Sequence, residues 1–515
     1  MREIELKLVL DEAQERRLRA SPVLKSHGVS EAKTQNLTSQ YFDTDADTLR
    51  EQGIALRLRK AGRQWLQTVK KVTQPMAQGL SQPLEDECVL PDDNLNLSLI
   101  QDDDLREDVI GIARKGLHVV AETDFRRTSR QLRTPSGGVV ELAIDKGALR
   151  SGDWEEAFIE TELELIDGNA GDLYALAALL FPKGPVRFSA LSKSDRALAL
   201  SGKVKMPPEP RKAVKVVLPS AATIEGAAIQ ILSEGLSHYL PNLPLLLETD
   251  NPGGPHQVRV ALRRLRSALS AFRGPLGRDV LATWAIHARD IAAAAGRLRD
   301  LDVLGEELLQ PMADENPGEP GFAALVQAVA KRRERVQAEV RRDLSGPEVT
   351  AFGFDMAGFI ATRGWLDPSD HQQSARLAAP VAPFVQKALN KRWKAVRSYG
   401  NRIESLTIDE RHELRKELKK LRYLADAFRS VFESNRVEEF IRLIKKLQVA
   451  FGALNDSAMA EEILTAPDAP GSDDPMAARA AGRVIGHLLA EADHQWPGAI
   501  AGWRDLAAYG PFWKN

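Results

Sequence analysis

Residues 1–10 read MREIELKLVL. Glu3, Glu5 and Lys7 take every second position, and Ile4, Leu6 and Leu8 fill the sites between. In an extended chain alternate side chains point to opposite faces, so this run is a strand with one charged and one apolar face. A solvated charged face is the plain reading of such a strand. The other strand-like runs bear on it. "ALRLRK" sets Arg57 and Arg59 on one face and Leu56 and Leu58 on the other; "LQTVK" sets Thr68 with Lys70. "LEDE" pairs Glu85 with Glu87, "VELAID" Glu141 with Asp145, and "IETELEL" Glu160, Glu162 and Glu164. Solvent faces would carry mixed, interchangeable charges. Here acids fill the first and last runs, and arginine and lysine the middle ones. A closed antiparallel barrel holds all these faces inward, with the apolar faces packed outside. Enclosed charges need partners. A polyanion with a divalent cation supplies them: guanidinium and ammonium groups grip phosphates, and carboxylate oxygens hold Mg²⁺ or Mn²⁺.

The chain has 515 residues, 43% hydrophobic and 28% charged, which predicts a globular protein of several domains. With 70 basic and 72 acidic residues the net charge is −2, so partners must be sought in local clusters. One cysteine, Cys88, excludes an intramolecular disulfide and a cysteine metal site. No apolar leader follows Arg2, and no run approaches the roughly 18 apolar residues of a membrane helix. These features predict a cytoplasmic protein with no membrane partner.

The grammar changes along the chain. Up to about residue 200, short β-type runs dominate, with helices expected in "DEAQERRLRASPVLKSHG" and "AGDLYALAALLF". Residues 204–213, rich in Pro and Lys, read as a linker. Beyond them Ala, Leu, Arg and Glu recur at helical spacing, so residues 214–510 read as all-α. An internal repeat lies there. "HQVRVALRRLRSALSAFR" starts at His256 and "HELRKELKKLRYLADAFR" at His412, while Asp300 and Asp456 follow at the same interval (412 − 256 = 456 − 300 = 156). Two repeats, about 220–310 and 376–466, are expected to form pseudo-symmetric helical bundles.

The ordered set "EIELK", "YFDT", "ALRLRK", "QTVK", "TDFRR", "ELAIDKG", "ETELEL" and "LSKSDRAL" resembles the CYTH superfamily, the triphosphate tunnel metalloenzymes, over residues 1–203. The resemblance implies an eight-stranded antiparallel tunnel that binds a linear triphosphate with Mg²⁺ or Mn²⁺. By position it implies Glu3, Glu5, Asp145, Glu162 and Glu164 as metal ligands, with Glu85 or Glu87 able to join. Arg57, Arg59, Lys70, Arg127 and Lys193 would bind phosphates, with Arg196 as a further candidate. Lys7 would act with Glu3 and Glu5 at the scissile end, contacting phosphate or helping to activate water. One departure stands out: "GLSQPLEDE" has Gln82 and Pro83 where that family often has an arginine, so one phosphate contact is missing.

In the helical half, His256, Arg259, Arg263 and Arg266 share one helix stripe, and His412, Arg415, Lys419 and Arg422 repeat it. Residues 256–273 hold five arginines and no acid. A solvated face has no reason to recur at matched positions. These motifs resemble the CHAD domain, often fused behind a CYTH domain, and imply a basic surface that binds inorganic polyphosphate through those eight residues. The helices lack the aromatic interleaving of a nucleic-acid face, apart from Tyr423 and Phe428. Lys416, Lys419 and Lys420 stand where the first repeat has arginine or small residues.

The expectation is therefore an α+β protein: a β-tunnel followed by a two-repeat helical domain, hydrolysing inorganic triphosphate to pyrophosphate and phosphate. The alternatives are a non-catalytic polyphosphate-binding protein, or an enzyme of thiamine triphosphate or ATP.

Overall fold

In the computed structural model of the chain the described residues are 4–72, 80, 81, 83–182, 187–189, 191–204 and 209–514. The backbone forms two compact units. The first is Met1–Arg211 with Ser345–Gly364, and the second is Lys212–Leu344 with Trp365–Asn515.

The first unit is built on β1 (Glu5–Val9), β2 (Lys33–Asp43), β3 (Ile54–Ala61), β4 (Gln64–Lys71), β5 (Leu80–Ser81), β6 (Leu84–Leu90), β7 (His118–Arg133), β8 (Val139–Ser151), β9 (Trp154–Asp167) and β10 (Arg187–Phe188). They form one antiparallel sheet in the order β10-β1-β9-β8-β7-β2-β3-β4-β6, with β5 also pairing β1. Eight strands are long, and β5 and β10 have two residues each. β5 and β6 are separated only by residues 82 and 83, so a chain segment paired to one end of the sheet runs directly into the strand at its other end. The sheet thereby curls shut. Two tight hairpins help set the register: Gly62 between β3 and β4 (φ 62°) and Gly152 between β8 and β9 (φ 58°) take the left-handed backbone that two-residue turns require.

Both sheet faces are covered. On the outside, Leu6, Leu8 and Leu163 are fully buried. The helix Ala170–Leu180 packs on β8 and β9, and the helix Pro347–Ala361 packs on that helix in turn. Their contact is close: a Cβ on Gly171 would lie 2.1 Å from the methyl of Thr362. The helix Asp103–Ala113 covers Leu56 and Val69 through Leu105, Val109 and Ile112. Inside, one end of the barrel is apolar. Leu37, Phe125, Leu149 and Phe158 close around Ala197 and Leu198 of the helix Lys193–Leu200. The remainder of the inner face carries charged side chains with the polar Ser39, Tyr41 and Thr68 among them.

In the second unit the repeat is visible as helix starts. Ile224–Tyr239, Gly253–Leu276, Arg278–Asp302 and Pro320–Leu344 are matched by Val381–Gly400, Ile408–Ala427, Ser434–Leu464 and Pro475–Tyr509. Each repeat thus has four long helices. The bridge between Thr223 and Pro380 joins equivalent points of the two copies, just before their first helices.

Candidate active site and basic helical surface

Register places the charges of the tunnel. Across β1, β9 and β8, Glu5 lies opposite Glu164 and Glu164 opposite Glu141, a rank of three acids. One step along, Lys7 faces Glu162; the next step brings Glu160 opposite Asp145, and Asp145 faces Arg127 on β7. Like charges directly opposite on a sheet repel.

Lys7 Nζ lies 2.7 Å from Glu5 and 3.8 Å from Glu162. Arg127 donates two hydrogen bonds to Asp145, of 2.8 and 2.7 Å, and also contacts Glu162. Lys193, at the start of the plugging helix, reaches Asp145 at 3.0 Å, Glu162 at 2.7 Å and Glu160 more closely still. Arg196, one helical turn on, lies 3.5 Å from Glu160. Oxygens of Asp145, Glu160 and Glu162 lie within 4.8 Å of one another, and the Lys193 ammonium sits against all three.

On the opposite wall Arg57 donates to Thr68 at 2.9 Å and lies 3.6 Å from Glu87, which accepts from Thr68. Lys70 pairs with Glu85 at 2.7 Å. Arg59 bonds Ser39 at 3.1 Å and lies over the Phe125 ring, with no carboxylate partner among the described residues. Burial and the neighbouring Arg57 push its guanidinium down to about 10. Burial opposes the charge on Lys7, but Glu5 and Glu162 outweigh it and hold the ammonium above the usual lysine range. Burial likewise opposes ionisation of Glu162, yet Arg127, Lys193 and Lys7 hold it well below the usual carboxylate range.

The tunnel thus brings together Glu5, Lys7, Arg127, Asp145, Glu162 and Lys193 in one ion-pair network. Arg57, Arg59 and Lys70 share the same inner face, and Glu164 lies in the rank beside Glu5. Glu3 and Gln82 lie outside the described residues. Two groups named in the sequence motifs were not assigned to the site. Glu160 shares the parity of Glu162 and Glu164, which was its signal. Tyr41 is buried opposite Arg57, and although burial raises its hydroxyl, Arg57 and Arg59 draw it below the usual tyrosine range.

In the second unit, the helices Gly253–Leu276 and Ile408–Ala427 pack together, and their basic stripes meet. Arg259 pairs with Asp300 at 3.0 Å, and Arg263 donates weakly to the Tyr423 hydroxyl at 3.5 Å. Among the described residues Arg263, Arg266, Arg415, Lys419 and Arg422 pair with no carboxylate. Burial, then Arg415 and Arg263, push Lys419 down to about 6; burial and Arg263 push Arg415 to about 10. Burial and neighbouring arginines also lower His256 and His412. Among the described residues this cluster of cations is therefore short of compensating carboxylates.

The CYTH domain family matches residues 1–196, and the CHAD domain family matches residues 230–465. The chain is a CYTH–CHAD protein. It is similar to two uncharacterized Mycobacterium tuberculosis proteins from different strains, each 26% identical over 467 residues, covering 85% of this chain and 83% of theirs. An inorganic triphosphatase of Haemophilus influenzae is 25% identical over 214 residues, 39% of this chain and 56% of that one. The crystal structure of a CHAD domain from the plant Ricinus communis aligns with a TM-score of 0.49 and 24% identity, covering 57% of this chain and 96% of that one. The CYTH part of this CYTH–CHAD protein is the curled antiparallel sheet, and its CHAD part lies in the helical unit. The CYTH match and the Haemophilus relative support triphosphatase-type chemistry in the sheet unit.

Proposed function

We propose that the CYTH unit hydrolyses inorganic triphosphate to pyrophosphate and phosphate with Mg²⁺ or Mn²⁺, and that the CHAD unit binds inorganic polyphosphate. One observation carries the reading: a closed inner face with Arg57, Arg59, Lys70, Arg127, Lys7 and Lys193 facing a graded array of carboxylates. Phosphoryl transfer needs mainly positioning and charge neutralisation, and this wall offers both. The donor set is oxygen only, as hard divalent cations require. In this reading Glu5 and Glu164, with Glu3 and Glu162, hold the metal, and Asp145 with Glu160 assists. Once bound, the ion neutralises phosphate charge and acidifies a water. Arg57, Arg59 and Arg127 orient the triphosphate. Lys7 stays protonated, so it stabilises charge near the scissile bond and does not take the proton from water.

The test is phosphate release from inorganic triphosphate with Mg²⁺ and with EDTA, for the native chain and Glu5→Ala, with ATP, thiamine triphosphate and long-chain polyphosphate in parallel. Release that needs metal and falls by about a hundredfold or more in Glu5→Ala is the expected result. No release from any substrate, with polyphosphate still retained, favours the second reading, a non-catalytic polyphosphate binder. The uncompensated cations of the helical surface are the observation behind that alternative.

Binding at that surface should depend on pH. Burial, then Arg415 and Arg422 on its own helix and Arg259 and Arg263 on the neighbouring one, disfavour a proton on Lys419, against attraction from Asp456. The free amine therefore loses its proton near pH 6, and a polyanion restores it. Binding takes up a proton, so affinity falls as pH rises from about 6 to 8, by at most about tenfold per pH unit. Fluorescence titration with polyphosphate at several pH values checks this. Lys419→Arg, which keeps its charge, should flatten the profile.

A further inference from the structure

The helix Glu12–Arg19 lies against the outer face of the tunnel wall, and a groove of about 440 Å³ opens beside it. Glu15, Arg19, Thr34, Arg126, Thr128 and Lys146 line the groove. Its floor follows from register. Arg127 and Asp145 point into the tunnel, so their chain neighbours Arg126 and Lys146 point out. Arg126 on β7 stands directly opposite Lys146 on β8, and Thr34 on β2 directly opposite Thr128 on β7. Two cations face to face on a sheet repel. Only part of that charge is answered. Buried Glu15 holds Arg19 at 2.8 Å with one oxygen and Lys146 at 3.2 Å with the other, and Glu12 reaches Lys146 at 3.6 Å. Arg126 is exposed and pairs with no carboxylate among the described residues. The Thr128 hydroxyl lies 3.5 Å from both Thr34 Oγ1 and Arg19 Nη1, beyond the usual hydrogen-bond distance, so these groups converge without satisfying one another.

From this arrangement we infer that the groove is a separate anion site, on the back of the tunnel wall, for a condensed inorganic phosphate of two or three phosphoryl groups. Its extent sets the length of the ligand. The donors sit on three adjacent strands and span two positions along β7, roughly 10 Å by 7 Å, which is wider than one phosphoryl group. Its chemistry sets the class. The Arg19 and Arg126 guanidiniums offer forked donors that match phosphate oxygens, Lys146 adds a point charge, and the threonine hydroxyls donate to the remaining oxygens. Glu15 fixes Arg19 and Lys146 at the rim. Among the described residues no aromatic or aliphatic side chain lines the groove, so it has nothing to hold a nucleobase. The groove also lacks the carboxylate ranks of the tunnel, so binding here needs no divalent metal. The inference stands on the groove alone and does not depend on triphosphate turnover in the tunnel.

The full chain in EDTA is labelled with a neutral amine-reactive ester, and acylation of Lys146 is followed by peptide mass spectrometry. Orthophosphate, pyrophosphate, tripolyphosphate or sodium chloride is added at matched ionic strength. Pyrophosphate and tripolyphosphate are expected to protect Lys146 at concentrations at least about tenfold below orthophosphate, because their linked phosphoryl groups engage the donors together. Arg126→Gln, with its fold checked by circular dichroism, should raise the half-protecting concentration about tenfold or more. Arg59→Gln in the tunnel and Arg263→Gln on the helical surface should leave the protection as in the native chain, which separates this groove from both of those surfaces. Three results overturn the proposal: no protection of Lys146, protection that sodium chloride or orthophosphate gives equally well, or protection unchanged by Arg126→Gln. Protection lost in Arg59→Gln also overturns it, since the effect would then come from the tunnel. Protection of Lys146 in a chain that hydrolyses no triphosphate upholds this site and overturns the tunnel reading instead.

Discussion

Glu162→Gln is expected to lower metal-dependent release of phosphate from inorganic triphosphate by about a hundredfold to a thousandfold, the scale seen when one charge-stabilising group is removed. Glu162 is the node of the tunnel network. Its oxygens meet Arg127 and Lys193 closely and Lys7 at 3.8 Å. Glutamine keeps its size and removes its charge, so two effects separate. On the proposed reading a metal ligand is lost, which lowers kcat. The same change leaves Arg127, Lys193 and Lys7 less compensated, so the wall becomes more attractive to phosphate and KM should not rise. Steady-state kinetics over a Mg²⁺ titration reads both. A variant with native kcat would remove Glu162 from the machinery.

The second large effect is on stability. Asp145 and Glu160 are essentially inaccessible, and Lys193 is their shared counter-ion. Lys193→Met leaves a crowded carboxylate triad with Arg127, Arg196 and the more distant Lys7. Removing one partner from a buried ion network costs about 3–5 kcal/mol. For a unit of this size that lowers Tm by roughly 6–20 °C. The loss should be largest in EDTA and partly recovered by Mg²⁺ or Mn²⁺, because a divalent cation among the same oxygens substitutes for the ammonium. Calorimetry of the variant with EDTA and with each metal reads this directly. An unchanged Tm in EDTA would mean that the triad is solvated and the ammonium dispensable.

Much of this network was legible without coordinates, for a physical reason. Side-chain alternation in a strand depends on nothing but the strand itself, so parity assigns Glu5, Arg57, Asp145 and Glu162 to a face before any pairing is known; Arg127 came only with the family resemblance. The helical repeat was legible because two landmarks shared one interval. What stayed hidden depends on pairing. Glu160, Glu162 and Glu164 look equivalent by parity; only the register of β9 against β8 sets Glu160 opposite Asp145. The closing segment Leu80–Ser81 is two residues long, too short for any periodicity. The helix Pro347–Ala361 reads as one more apolar helix of the C-terminal half, with Phe352, Phe354, Met356 and Ile360 all buried. Its partner, the helix Ala170–Leu180, is almost two hundred positions earlier, and nothing local announces that.

That distant helix sets a timetable for biosynthesis. When Arg211 leaves the ribosome, every strand of the tunnel exists, but the outer cover over Gly171 and Tyr174 does not. It arrives only with residue 364, that is 364 − 211 = 153 residues later. At ordinary elongation rates this is roughly 8 to 30 seconds. During that interval the nascent tunnel presents the apolar back of the helix Ala170–Leu180, and also Phe188, whose ring later rests 4.9 Å from Phe354. The first unit to be synthesised is therefore not the first to be finished. A gene cut after the linker would encode a tunnel permanently held at that unfinished stage.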